Sequence, residues 1–173
     1  MILPITKLPA AVLRRPVENL KFPLTKPNLR LMKDMLETVK HANGVGLAAT
    51  QVGKSLNMAL IYLVGDRFGR IEDGDGLPPF MIINPKITRS SKETAVMEEG
   101  CLSMPGVFGE VRRPKKITME AYDLQGKKFT ITDDTFLARV LQHEIDHLHN
   151  VLIIDKLGKV AQGEELLDKY RKK

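Results

Sequence analysis

Residues 143–147 read His143-Glu144-Ile145-Asp146-His147, and this pentapeptide limits the fold more than any other feature of the chain. On an α-helix, side chains at i and i+4 stand one turn apart on a single face. Two imidazoles placed this way can grip one metal ion, while the glutamate between them reaches the water that such an ion activates. The neighbouring residues extend the helix. Thr132, Asp133 and Asp134 each offer an N-cap, and the period runs on to about His149. Phe136, Val140, His143 and His147 fall on one stripe, and Leu137, Leu141, Ile145 and Leu148 form a second. A helix apolar on two sides is buried, so the spacing predicts a central helix whose histidines point inward. Two buried imidazoles without partners would cost several kcal/mol, which favours a ligand over simple packing as the reason for them.

A catalytic metal site needs a third protein ligand and an open position. Glu164 and Glu165 lie downstream, where many HExxH proteins find that ligand. The alternative is Cys101, within Glu99-Gly100-Cys101-Leu102-Ser103. Residues 44–51, Gly44-Val45-Gly46-Leu47-Ala48-Ala49-Thr50-Gln51, form a third feature. Their small side chains permit close backbone approach to a ligand, and Gln51 can donate an amide hydrogen bond. The segment lacks the Gly-Lys-Ser/Thr ending of a phosphate loop.

The remainder of the 173 residues reads as one domain. With 43% hydrophobic and 28% charged residues, collagenous and disordered classes are excluded. The longest apolar run, Met58–Val64, is far below the roughly 20 residues of a membrane span and is the length of a strand. A second strand is predicted at Phe80–Asn84. Lys116–Leu124 and Lys127–Asp133 alternate about Gln125-Gly126 as a hairpin. A helix is expected from an Asn28 cap to about Ala42. Residues 1–27, with five prolines, suggest an extended arm, and residues 158–173 a basic tail or short helix. Asp73-Gly-Asp75-Gly reads as a turn, since it lacks the further ligands of a calcium loop. The single cysteine rules out an internal disulfide framework and suits a reducing cytoplasm. No charged leader precedes an apolar core at the N-terminus, so a cytoplasmic location is expected. The net charge of +6 (27 basic minus 21 acidic residues) favours acidic partners, although the run Arg112-Arg113-Pro114-Lys115-Lys116 reads as a solvated face.

Together, GVGLAATQ, EGCLS and QHEIDH, in this order and at these separations, resemble the three signature motifs of peptide deformylases. The resemblance spans the chain from the Asn28 helix to about Leu157. It implies an α+β fold in which antiparallel β-sheets surround a central metal-binding HExxH helix. The implied reaction is hydrolysis of the formyl group from N-formylmethionine at the start of nascent polypeptides. By motif match, Cys101, His143 and His147 would bind one divalent metal, natively Fe2+, with Zn2+, Ni2+ or Co2+ able to substitute. Glu144 would act as general base and acid, and Gln51 with the backbone N–H of Leu102 would stabilise the oxyanion. Substrate backbone would pair with Val45, Gly46 and Gly100, and the methionine side chain would enter a pocket of Val45, Met97, Phe136 and Val140. The chain departs from many members at Asn150, where glycine is common, and at Gly106 and Phe108, where several bacterial members carry Glu and Arg. These last two bear on contacts beyond the first substrate residue. Neither membrane nor DNA is an expected partner. The basic C-terminus is expected to meet the ribosome from which the substrate emerges.

Two other readings make different demands. A zincin-like endopeptidase would not need Cys101 and would cut unformylated peptides internally. A non-enzymatic RNA- or ribosome-binding protein would rest on the basic runs Arg112–Lys116 and Lys169–Lys173, yet 5% aromatic residues and no Trp offer few stacking platforms.

Overall fold

Alternation along the middle strands builds two cores at once. The computed structural model describes residues 1–63 and 77–171. Among these, β1 (Gly46–Ala48), β2 (Met58–Ile61), β3 (Phe80–Ser90), β6 (Ile117–Tyr122) and β7 (Lys128–Asp133) form an antiparallel sheet in the order β1-β2-β3-β6-β7. Successive side chains of a strand point to opposite faces. Ala59, Ile61 and Ile82 therefore meet Leu141, Ile145 and Leu148 of helix α2 (Phe136–Leu148). Met58, Leu60, Met81 and Ile83 turn the other way, onto Met32, Met35 and Val39 of helix α1 (Lys26–His41). A second antiparallel sheet, ordered β4-β5-β8, consists of β4 (Thr94–Cys101), β5 (Met104–Pro114) and β8 (Leu157–Gln162). Its core joins Met104, Val107 and Val111 to Leu8 and Leu13 of the N-terminal arm and to Leu167 and Tyr170 of the short helix α3 (Leu167–Arg171).

The expected elements form, with shifted ends. The cap of α1 is Thr25 rather than Asn28: its side chain accepts the Asn28 N–H at 3.3 Å, and Pro27 sits in the first turn, where a missing N–H costs nothing. Thr135 caps α2 in place of residues 132–134, and Asp133 Oδ1 supports it by accepting the Ala138 N–H at 2.9 Å. The hairpin about Gln125-Gly126 forms as read, with Gly126 in the left-handed region at φ 79°. The Phe80 strand runs six residues past Asn84, to Ser90. Residues 158–162, expected in the basic tail, pair with β5. The arm carries a 3₁₀ turn at Ala11–Arg14 and is bonded to the body: Thr6 N–H donates to the Gln51 carbonyl and Leu8 N–H to that of Ser103. The Asp73-Gly-Asp75-Gly turn, Val64, Lys172 and Lys173 lie outside the described residues.

One face of α2 differs from its expected character. Toward the second sheet it presents Arg139, Gln142 and Asp146. Arg139, only 6% exposed, donates to the carbonyls of Val111 and Ala95, and Gln142 to that of Pro114. These bonds satisfy strand carbonyls and dock the helix through polar contacts.

Candidate metal centre and substrate cavity

Helix α2 brings His143 and His147 to one side, and the end of β4 brings Cys101 to meet them. One ligand atom from each of the three lies within 4.8 Å of the others. Cys101 Sγ stands 3.3 Å from His147 Nε2. His143 Nδ1 is 3.0 Å from Glu99 Oε2, which leaves Nε2 for a ligand. The downstream alternatives, Glu164 and Glu165, are exposed on a 3₁₀ turn and join no such group among the described residues.

Buried charges surround this triangle. Glu99, 8% exposed, takes two bonds from Arg113 (2.6 and 2.8 Å) and one from Arg139 at 3.0 Å. Burial alone would raise its carboxyl, but the bonds from Arg113 and His143 outweigh this and hold it well below the usual carboxylate range. Burial likewise opposes ionisation of Cys101, yet the neighbouring His147 and His143 bring its thiol well below the ordinary value. Against the same opposing burial, hydrogen bonds with Cys101 and Glu99 lift His143 above its ordinary value. Burial raises the Glu144 carboxyl, and the histidines only partly counter it. Glu144 Oε2 and His147 Nδ1 are both buried without a hydrogen-bond partner among the described residues. Orphans of this kind cost about 1–3 kcal/mol each.

Strand β1 and the 3₁₀ turn that follows it, Ala49–Val52, supply the next layer. Gln51 is 1% exposed, and its Oε1 accepts the Ala48 N–H at 2.8 Å. That bond turns Nε2 toward Cys101 Sγ at 3.6 Å and Ser103 Oγ at 3.2 Å. Gly46 is required by proximity, since a Cβ there would collide with the Glu144 carboxylate. Leu102 begins the tight turn from Cys101 to Met104.

A cavity of about 660 Å³ opens over this layer. Its wall includes Val45, Gly46, Gln51, Met97, Gly100, Cys101, Leu102, Phe136, Val140, His143 and Glu144, so the substrate and catalytic residues expected from sequence are brought to one space. His147 lies behind them, 1% exposed. The cavity meets β1 and β4, each the edge strand of its sheet.

Sequence reasoning missed the buried charge network. Arg113 is no part of a solvated face: it is 2% exposed and bonded to Glu99 and Asp146. Strand alternation explains this, since Arg112 points out and Arg113 in. An arginine between the apolar stripes of α2 was the signal for Arg139.

The donor set suits a transition metal. A thiolate with two imidazoles selects Zn2+ or Fe2+ over Mg2+, and the three ligand atoms are close enough to share one ion.

Comparison with known proteins agrees with this arrangement. The model of the polypeptide deformylase family matches residues 2–162. A peptide deformylase of Rhizobium meliloti is 42% identical over 164 residues, covering 93% of this chain and 88% of the relative. Peptide deformylase 1 of Bacillus anthracis is 43% identical over 165 residues, covering 95% and 98%. Among solved structures, a peptide deformylase from Legionella pneumophila superposes with a TM-score of 0.81 at 39% identity, covering 91% of this chain and 87% of that one.

Proposed function

The chain belongs to the polypeptide deformylase family, and from that premise we propose how its own residues divide the work. It is a metal-dependent hydrolase that removes the formyl group from the N-terminus of nascent polypeptides. Cys101, His143 and His147 would hold one divalent cation, natively Fe2+, with Zn2+, Ni2+ or Co2+ able to replace it. The chemistry supplied by that ion, when bound, is Lewis acidity toward water and the formyl carbonyl.

Glu144 takes a proton from the attacking water and returns it to the leaving amine nitrogen, a role worth about 10²–10⁴ in rate. Its raised carboxyl pKa brings it nearer to the pH at which it must both accept and release that proton. Gln51 Nε2 and the Leu102 N–H meet the oxygen on which charge develops, each worth on the order of 10²–10³. The Ala48 bond to Gln51 Oε1 supports this assignment because it fixes which end of the amide faces the cavity. Substrate backbone lies between the two sheet edges, pairing with Val45–Gly46 and Gly100 as an added strand. Val45, Met97, Phe136 and Val140 take the methionine side chain.

One observation carries the reading: three metal-type donors lie within 4.8 Å, beside a buried carboxylate oxygen with no hydrogen-bond partner among the described residues. Anaerobic purification with metal analysis and a formyl-Met-peptide assay tests it. We expect about one metal per chain and turnover of the formylated peptide, both lost in Cys101→Ala. Full metal content and activity in Cys101→Ala, with internal cutting of unformylated peptides, would establish the endopeptidase reading instead.

The substrate emerges from a ribosome, so we assign the work to the cytoplasm. No helix of the described residues is long and apolar enough to cross a membrane. Exposed Lys169 and Arg171 are the described cations of the C-terminus that could meet ribosomal RNA by counterion release. Because the intervening Tyr170 is 5% exposed, deleting residues 169–173 would disturb the core as well. Arg171→Ala is the sharper test, because Lys169 lies over the Tyr170 ring. Ribosome co-sedimentation should weaken at low salt while free-peptide turnover stays unchanged, and undiminished co-sedimentation would exclude the contact.

A further inference from the structure

The cavity wall nearest the β4–β5 turn lies outside both strand ladders. Cys101 pairs with Met104 and Gly100 with Phe108. On the other side, β8 reaches β5 no nearer this turn than Phe108, opposite Gln162. Among the described residues, Pro105, Gly106 and Val107 thus have no ladder partner on either side, and Pro105 has no N–H to offer. Even so, Met104, Pro105 and Gly106 line the cavity beside Cys101.

The C-terminal segment occupies the place of a strand partner. Tyr170 Oη donates to the Pro105 carbonyl at 2.8 Å. Tyr170 and Leu167 are buried with Met104 and Val107. Gly106 and Gly163 are both left-handed, at φ 84° and 77°, and lie back to back: a Cβ on Gly163 would collide with the Gly106 carbonyl oxygen. A Cβ on Gly106 would lie 3.1 Å from Leu166 Cδ1. A helix as short as α3 does not hold by itself in water, so its contact with the wall is what orders it.

We infer that Gly163–Tyr170 is a brace that fixes the Pro105–Gly106 wall of the substrate cavity, with Tyr170 as a positioning residue for peptide binding. The inference rests on the deformylase reading of the cavity and gives the brace no part in proton transfer. Tyr170→Phe removes one donor and keeps the ring. With a formyl-Met tetrapeptide its KM should rise about three- to tenfold at unchanged kcat, as expected for one neutral hydrogen bond. Gly163→Ala, which forces the two turns apart with Tyr170 intact, should raise KM in the same way. Hydrogen exchange at the Gly106 and Val107 amides should quicken in Tyr170→Phe without any peptide present. Unchanged KM and exchange in Tyr170→Phe would overturn the inference. So would a lower kcat at unchanged KM, which signals only a smaller folded fraction. If the wild type failed to turn over formylated peptide, the deformylase reading would fall, while the exchange measurement would still decide the brace.

Discussion

His143 Nδ1 and Glu99 Oε2 lie 3.0 Å apart, and through that contact a residue of β4 orients a side chain of α2. Glu99 is itself held by Arg113 and Arg139, and Arg113 also grips Asp146, on the same helix as His143. The carboxylate therefore fixes which imidazole nitrogen faces the metal side, and the arginines fix the carboxylate.

Glu99→Gln should lower metal affinity about 10–100-fold, the usual cost of losing such a supporting group. Titration of the purified variant with Zn2+ against a competing chelator reads this directly. Affinity equal to wild type would show that His143 needs no carboxylate to stay in place.

Acid should unfold the wild type through the same residue. The Glu99 carboxyl is depressed in the folded chain. Its contribution is thus complete above the unfolded value, about 4.3, and is lost as pH falls toward the folded one. A pH series of denaturant midpoints should decline below about pH 4 in the wild type, and more shallowly in Glu99→Gln. Parallel curves would assign acid sensitivity to other carboxylates.

Glu144→Gln should retain wild-type metal content and lose about 10²–10⁴ in kcat, because an amide cannot carry the proton. Metal loss as deep as that of His143→Ala would instead make Glu144 part of the ligand set.

Gly46→Ala probes the closeness of β1 and α2. The added methyl would meet the Glu144 carboxylate, with Cδ at 2.7 Å, and must push it aside. We expect kcat to fall at least tenfold with metal content intact. Wild-type kcat would mean that Glu144 can do its work from a displaced position.

Much of the site was legible because its signals are local. The i, i+4 spacing of His143 and His147 sets their common face whatever surrounds the helix, and the apolar stripes of α2 determined that this face would be buried. The alternation about Gln125-Gly126 likewise specified its hairpin. The motif set singled out Cys101, which spacing alone had left level with Glu164 and Glu165. The remainder depended on contacts between distant segments. Whether Arg113 is solvated or buried turns on the register of β4 and β5, since a shift of one residue would exchange it with Arg112. Arg139 could be recognised as a dock for the second sheet only once the carbonyls of Ala95 and Val111 were in reach. The bond from Tyr170 to Pro105 joins residues 65 apart, and the pattern of neither segment names the other as its partner. Periodicity fixes the face a side chain takes, whereas the partner waiting on that face is set by chain closure over long separations.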